Sequence, residues 1–367
     1  MPYNWQQKDW PNFTYSLQGI DDLLFRFAER TGHVSGMLKT LSEEIQLETV
    51  INIMVAEAVK TSEIEGEFVS RKDVLSSIKR NLGLSKTPVA VKDKRAVGVS
   101  RLMIDVRNTF KEPLTGKKFF EWHRMLMGGN TDIIVGNWRK HKEPMQVVSG
   151  AIGKQKVHFE APPSEKVPGE MKEFIRWFNN TSPEGKKTIK NAPLRAAIAH
   201  LYFESIHPFE DGNGRIGRAV AEKALSQSIG RPVMLSLSKT IEAGKKAYYA
   251  ALHKASQSNE ITAWIKYFVK TVVDAQLQAE EEIEFTLKKA KIFDRYKNLL
   301  NERQLTIIKR MLEEGVQGFE GGMNARKYIS LTKTSKATAT RDLQLLLENK
   351  VLIVSGGGRS TGYQVNI

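Results

Sequence analysis

The run His207-Pro208-Phe209-Glu210-Asp211-Gly212-Asn213-Gly214-Arg215-Ile216-Gly217-Arg218 decides how the centre of this chain is read. Upstream, Asn191-Ala192-Pro193 supplies a cap and an early proline, the opening of a helix. Leu194, Ile198, Leu201, Tyr202 and Ser205 then recur at helical spacing as its core face. Proline has no amide hydrogen and its ring clashes with a continuing helix, so Pro208 ends it. A second helix is expected from about Arg215 through Leu225. The run is therefore a turn between two helices, carrying an imidazole, carboxylates, an amide, two arginines and closely spaced glycines.

Such a turn suits phosphate. Gly212 and Gly214 permit backbone conformations closed to other residues, so successive N–H groups can face inward as an anion-binding nest. The positive end of the following helix adds to it. Arg215 stands beside the nest to neutralise phosphate oxygens, and Asn213 can donate an amide hydrogen bond. Asp211 offers the oxygen ligand preferred by Mg2+, an ion that takes one or two carboxylates with phosphates and water. His207 titrates near neutrality when unperturbed and is the candidate general base. Phe209 reads as a core anchor.

The run resembles the HPFx(D/E)GNGRxxR signature of the Fic family, with every specified position matched. The resemblance implies transfer of AMP from ATP to a Ser, Thr or Tyr hydroxyl of a protein, by in-line attack on the α-phosphate with Mg2+-bound pyrophosphate leaving. It implies His207 as the base, Asp211 at the metal, and Gly212, Asn213, Gly214, Arg215 and Arg218 around the nucleotide. In the family's kinase-like branch the residue matching Gly214 is not glycine, so this chain departs from that branch; a phosphocholine donor stays open. Tyr248 and Tyr249 resemble the adenine-side aromatics, with core packing as the alternative at that spacing. Thr61-Ser62-Glu63-Ile64-Glu65-Gly66 resembles the inhibitory (S/T)xxxE(G/N) motif, with Thr61, Glu65 and Gly66 on the matching positions. By that resemblance Glu65 reaches Arg218, occupies the place of the γ-phosphate, and in some members supports the reverse removal of AMP. The alternative is an ordinary surface charge near a helix end, as for Glu63 and Glu67. The hairpin expected from residues 145–148 and 156–159, with Lys154, Lys156 and His158, matches the family's flap, which pins an extended target by strand addition.

The remaining sequence sets the frame. With 367 residues there is room for two or three domains. A net charge of +15 favours acidic partners such as nucleotides, nucleic acid or an acidic protein. The absence of cysteine excludes thiol catalysis and thiolate metal sites. No apolar run is long enough to span a bilayer, and the first residues lack the features of an export signal, so a cytoplasmic location is expected. Met37, Leu38, Leu41 and Ile45, then Leu47, Val50, Ile51, Met54, Val55 and Ala58, follow a helical period that steps sideways between residues 45 and 47: one long helix or two in succession, with Gly66 as C-cap. Further helices are expected near residues 73–78, 93–110, 119–126, 167–179 and 245–252, and from 261 toward 300. Trp122, Trp138, Trp177, Trp264, His123, His141 and His200 read as packing or structural residues.

From residue 301, helices at 304–313, 324–331 and 336–349 and strands at 351–354 and 363–367 read as a winged helix-turn-helix. Lys336, Thr338, Arg341 and the wing-tip Arg359 would then meet DNA, and docking of a partner is the other use of such a domain. The expected fold class is mainly α: a Fic-type helical bundle with a small β-hairpin flap, plus a C-terminal winged helix-turn-helix domain. Its segments are an N-terminal helical region with the inhibitory motif (1–112), a catalytic core (113–275), a linking helix (276–300) and the winged helix (301–367). The expected partners are ATP with Mg2+, a protein hydroxyl including one on the chain itself, DNA and a second copy of the chain, with no membrane. A competing expectation is a DNA-binding transcriptional regulator with a nucleotide-sensing Fic-like domain.

Overall fold

The computed structural model describes residues 2–84, 91–149, 156–357 and 362–367. It contains α1 (Asp21–Lys39), α2 (Glu43–Ile64), α3 (Arg71–Asn81), α4 (Lys94–Asn108), α5 (Gly116–Met127), β1 (Gln146–Ser149), β2 (Lys156–Glu160), α6 (Val167–Asn180), α7 (Ala192–Ile206) and α8 (Asn213–Ile229). These are followed by α9 (Leu237–Ala243), α10 (Lys245–Ala255), α11 (Thr262–Tyr296), α12 (Glu302–Leu312), α13 (Ala325–Thr332), α14 (Lys336–Glu348), β3 (Leu352–Ser355) and β4 (Gly362–Val365). The mainly helical fold class expected from the sequence is the one observed. Two compact units result: Met1–His33 with Val50–Leu277, and Val34–Thr49 with Gln278–Ile367. Residues 34–49 thus group with C-terminal residues, a long-range packing choice that local periodicity does not encode.

Several boundaries differ from expectation for local chemical reasons. The long apolar stripe is two helices, broken at residues 40–42 rather than at its sideways step. There Thr40 turns its hydroxyl back to the Met37 carbonyl at 2.7 Å, and Ser42 begins α2 by accepting from the Ile45 amide at 3.4 Å. Short hydroxyl side chains compete with the helical ladder in this way and favour its ends. Helix α8 starts at Asn213, ahead of Arg215, because Gly212 takes the left-handed conformation (φ 82°) at its N-cap. The helix expected from residue 261 toward 300 is present: α11 runs unbroken through the acidic run at residues 280–282 and ends at Tyr296.

In the first unit α7 is buried along its whole length, so its core face is wider than the one stripe expected. It packs most extensively on α8, and α4, α5 and α6 close around the pair. Ala196, Ala197 and Ala199 are fully buried and keep α7 slender enough for such neighbours. Aromatic rings fill the rest: Phe119 stacks on Phe203 at 5.3 Å, and Trp264 donates its indole N–H to the Ala197 carbonyl at 2.8 Å. Burying each such ring contributes roughly 1.5–3 kcal/mol. β1 and β2 pair antiparallel with a register shift between Val147 and Val148. The loop between them, with Lys154, lies outside the described residues.

The second unit has its own core, in which Ile307, Ile308, Tyr328, Leu346, Val351 and Leu352 are buried together. Helices α12, α13 and α14 precede the antiparallel β3–β4 hairpin. Buried Asp342 accepts from the Tyr328 hydroxyl at 2.9 Å and pairs with Arg303 at 3.3 Å, so it belongs to this core's polar network. Arg359 lies outside the described residues. Among the described residues, no helix is long and apolar enough to cross a membrane.

Candidate active site

Helix α7 ends at His207, whose backbone is left-handed (φ 50°, ψ 61°). A residue with a Cβ adopts this region at a cost that surrounding contacts must offset. Arg139, 1% exposed, supplies those contacts. It donates to the His207 carbonyl at 2.8 Å, to Pro162 O at 2.5 Å, to Ile206 O at 3.3 Å and to the Ser164 hydroxyl at 3.0 Å, while its own amide donates to Pro208 O at 3.0 Å. Burial pushes the Arg139 guanidinium down to about 10, which still leaves it charged at neutral pH.

Two further side chains set the turn. His123, fully buried, stacks on Phe209 with ring centres 4.1 Å apart. Its Nδ1 accepts from the Gly136 amide at 2.8 Å, which leaves the proton on Nε2 to donate to Asp211 O at 3.2 Å. Burial holds this ring below the ordinary histidine range and favours that neutral form. Asn213 accepts from the Phe209 amide at 2.9 Å and donates to the Phe209 carbonyl at 2.8 Å. Both ends of its amide thus help to stitch the turn, and one N–H of the two remains beyond these bonds.

The glycines also divide their roles differently from expectation. Gly212 has the positive φ, and no side chain caps α8, so the amides of the first turn of α8 point out of the helix end toward the site. Gly214 lies within α8 and is absent from the positive-φ residues. What it provides is space, because a Cβ there would collide with Glu65 Oε1 and crowd Arg218 Nη1.

Both signature arginines are buried and both meet carboxylates from the turn after α2. Arg218 Nη2 donates to Glu65 Oε1 at 2.7 Å, its Nε to the Thr61 hydroxyl at 2.8 Å, and Nη2 also to Thr61 O at 2.9 Å. Gly66 (φ 80°) turns the chain after Glu65. Burial by itself would raise the Glu65 carboxyl, but Arg218, Arg215 and His207 outweigh it and hold the group below the usual carboxylate range. Glu67, read from sequence as a surface charge, pairs with Arg215 at 2.6 Å. The Asp211 carboxylate is half exposed, accepts from the Gly212 amide at 2.5 Å and stands 3.5 Å from Arg215 Nη2.

A cavity of about 690 Å3 opens beside His207, Glu65 and Arg218, walled by Val147, Val148 and Phe159 of the hairpin and by Leu201, Tyr249 and Leu252. Its size is that of a nucleotide-type pocket. Of the two tyrosines, both of which line the cavity, Tyr248 is 1% exposed and its hydroxyl bonds His200 Nε2 at 2.8 Å. Tyr249 is 39% exposed and donates to Ile64 O at 3.3 Å, at the end of α2.

Sequence reasoning passed over Glu204. Its carboxyl is buried beside the imidazole, Oε2 lying 3.8 Å from His207 Nδ1, and burial pushes it up to about 8, so it is largely protonated at neutrality. Burial, reinforced by Arg139, pushes His207 down to about 4. The imidazole is thus neutral at pH 7, the state able to accept a proton. The one available signal was an acid inside a largely apolar helix, three residues before the histidine.

Comparisons with known proteins bear on the family and the fold. Residues 113–225 match the Fic/DOC family, and residues 3–84 match a domain of unknown function, DUF4172. The protein adenylyltransferase fic-1 of Caenorhabditis elegans is 30% identical over 151 residues, 41% of this chain and 25% of that protein. The protein adenylyltransferase Fic of Drosophila ananassae is 28% identical over 168 residues, 45% of this chain and 28% of that protein. The matched region thus spans about a quarter of the length of these curated relatives. Among solved structures, a Fic family protein from Desulfovibrio desulfuricans superimposes with a TM-score of 0.52 at 18% identity, covering 97% of this chain and 98% of that one. A Fic-1 fragment from C. elegans does so with a TM-score of 0.53 at 20% identity, covering 71% and 72%. These likenesses establish the fold.

Proposed function

From the match of residues 113–225 to the Fic/DOC family we propose that the protein is a self-inhibited adenylyltransferase that moves AMP from ATP to a protein hydroxyl. The observation that carries the reading is the coincidence, in one cavity, of a neutral His207 and an Arg218 closed by Glu65 at 2.7 Å. His207 takes the proton of the incoming hydroxyl as that oxygen attacks the α-phosphate, and pyrophosphate leaves. Arg215, Arg218 and the first-turn amides of α8 hold the phosphates. Asp211, an accessible carboxylate beside Arg215, fits Mg2+, which needs one or two carboxylates besides phosphate and water. That ion would supply neutralisation of charge on the leaving group. The β1–β2 ribbon, on which Val148 and Val157 are exposed, suits strand addition by an extended target segment. While Glu65 holds Arg218, the γ-phosphate has no place there and ATP binds unproductively; the same carboxylate supports the reverse removal of AMP.

The target is a Ser, Thr or Tyr hydroxyl, including one on the chain itself, in a reducing compartment such as the cytoplasm. The regulator alternative is not favoured, because a nucleotide sensor requires no general base. The deciding experiment incubates Glu65→Gly with Mg2+ and ATP beside Glu65→Gly/His207→Ala and reads intact mass. Added AMP that depends on His207 is expected. Added phosphate would mark a kinase, and ATP bound without any transfer would revive the sensor.

A further inference from the structure

The turn after α2 delivers a second carboxylate to the signature. Gly66, with its φ of 80°, and the bond from the Glu67 amide to Ser62 O at 3.0 Å fold the chain so that Glu65 and Glu67 both face α8. Glu65 Oε1 lies 2.7 Å from Arg218 Nη2, and Glu67 Oε2 lies 2.6 Å from Arg215 Nη1. Arg215 is 3% exposed, so its cation is drawn out of water and its partner counts for more than a surface ion pair would. Glu63, in the last turn of α2, goes elsewhere, to Lys60 at 2.5 Å. The acids of this stretch are therefore sorted: two to the signature arginines and one to a lysine outside the signature.

We propose that Glu67 is a second inhibitory clasp, which occupies Arg215 as Glu65 occupies Arg218, so that a polyphosphate must displace two carboxylates to bind. Together the pair imitates the charge of a polyphosphate across both arginines. Removing Glu65 leaves the site half closed. The inference rests on the reading above that Arg215 and Arg218 are phosphate ligands.

Calorimetric titration of Mg2+-ATP and of inorganic tripolyphosphate into the full chain tests it, using wild type, Glu65→Gly, Glu65→Gly/Glu67→Gln and Glu65→Gly/Glu63→Gln. Glu67 is partly exposed, and a melting curve checks that each variant is folded. Glu65→Gly/Glu67→Gln is expected to bind tripolyphosphate about tenfold more tightly than Glu65→Gly, the scale of one charge-assisted hydrogen bond. Glu65→Gly/Glu63→Gln, which removes an equal charge from the adjoining end of α2, is expected to match Glu65→Gly. Equal affinities with and without Glu67, or an equal gain from Glu63→Gln, would overturn the clasp. A tenfold gain for tripolyphosphate in a protein that never transfers AMP would keep the clasp and overturn the transferase reading.

Discussion

His207 shows how a single residue is prepared by others far away in sequence. Its left-handed backbone is secured by Arg139, and its imidazole is kept neutral by burial and by that same guanidinium, down to about pH 4. Glu65 is one of the groups that raise His207, so for free enzyme the acid limb of kcat/KM for AMP transfer by Glu65→Gly is expected at or below about pH 4, well below the ordinary histidine value of 6.5. A limb at 6.5 would mean that the ring is solvated when it acts. His207, Asp211, Arg215 and Arg218 were legible in the sequence because one short run holds them. Arg139, His123 and Glu204 were not. Each gains its meaning from a partner on another element, or from a depth of burial that no local pattern reports. Asn213 was legible as a site residue, but its ring of hydrogen bonds with Phe209 was not, since that partner is set by the shape of the turn.

At the scale of elements, the site is a junction of three chain ends: the C-terminus of α7, the N-terminus of α8 and the turn after α2. The helices themselves were visible from periodicity, caps and prolines. Their ends were less so, because Thr40 and Ser42 act through single hydroxyls and Gly212 through one dihedral. The junction depends on the turn keeping its shape. Asn213→Ala removes two hydrogen bonds to buried Phe209 and is expected to cost about 2–4 kcal/mol of stability, read by denaturant unfolding. The same variant should bind nucleotide poorly even with Glu65 removed, since the amides of α8 lose their aim. A variant that unfolds like wild type would show the turn to be held by Arg139 and His123 without it. Glu65, by contrast, followed from its motif, and the structure adds Glu67 because its Arg215 partner lies on a helix nearly 150 residues further along the chain.

Across the whole molecule the composition spoke to partners and excluded thiol chemistry, and the grouping of residues 34–49 with the C-terminal unit was invisible in it. Buried titratable groups, however, leave a signature in the pH dependence of stability. His200 and His207 are each held near pKa 4 against an ordinary 6.5, so their contribution is present above pH 6.5 and is lost as pH falls toward 4. Glu204 behaves in the opposite sense. Its folded value near 8 exceeds the ordinary 4.5, so the unfolded chain releases a proton that the native state retains, and stability is lost as pH rises from 4.5 to 8. Glu204→Gln keeps the shape of the neutral acid and cannot ionise. Between pH 5 and 8 the variant should therefore gain on wild type with each step upward, at most by about 1.4 kcal/mol per pH unit. Parallel unfolding curves across pH measure this directly. The gain requires Glu204 to be neutral beside His207, so a difference that stays constant with pH would mean an ionised Glu204. In that case the base would be steadied by a charge, its acid limb would move up toward 6.5, and the two measurements would have to fail together.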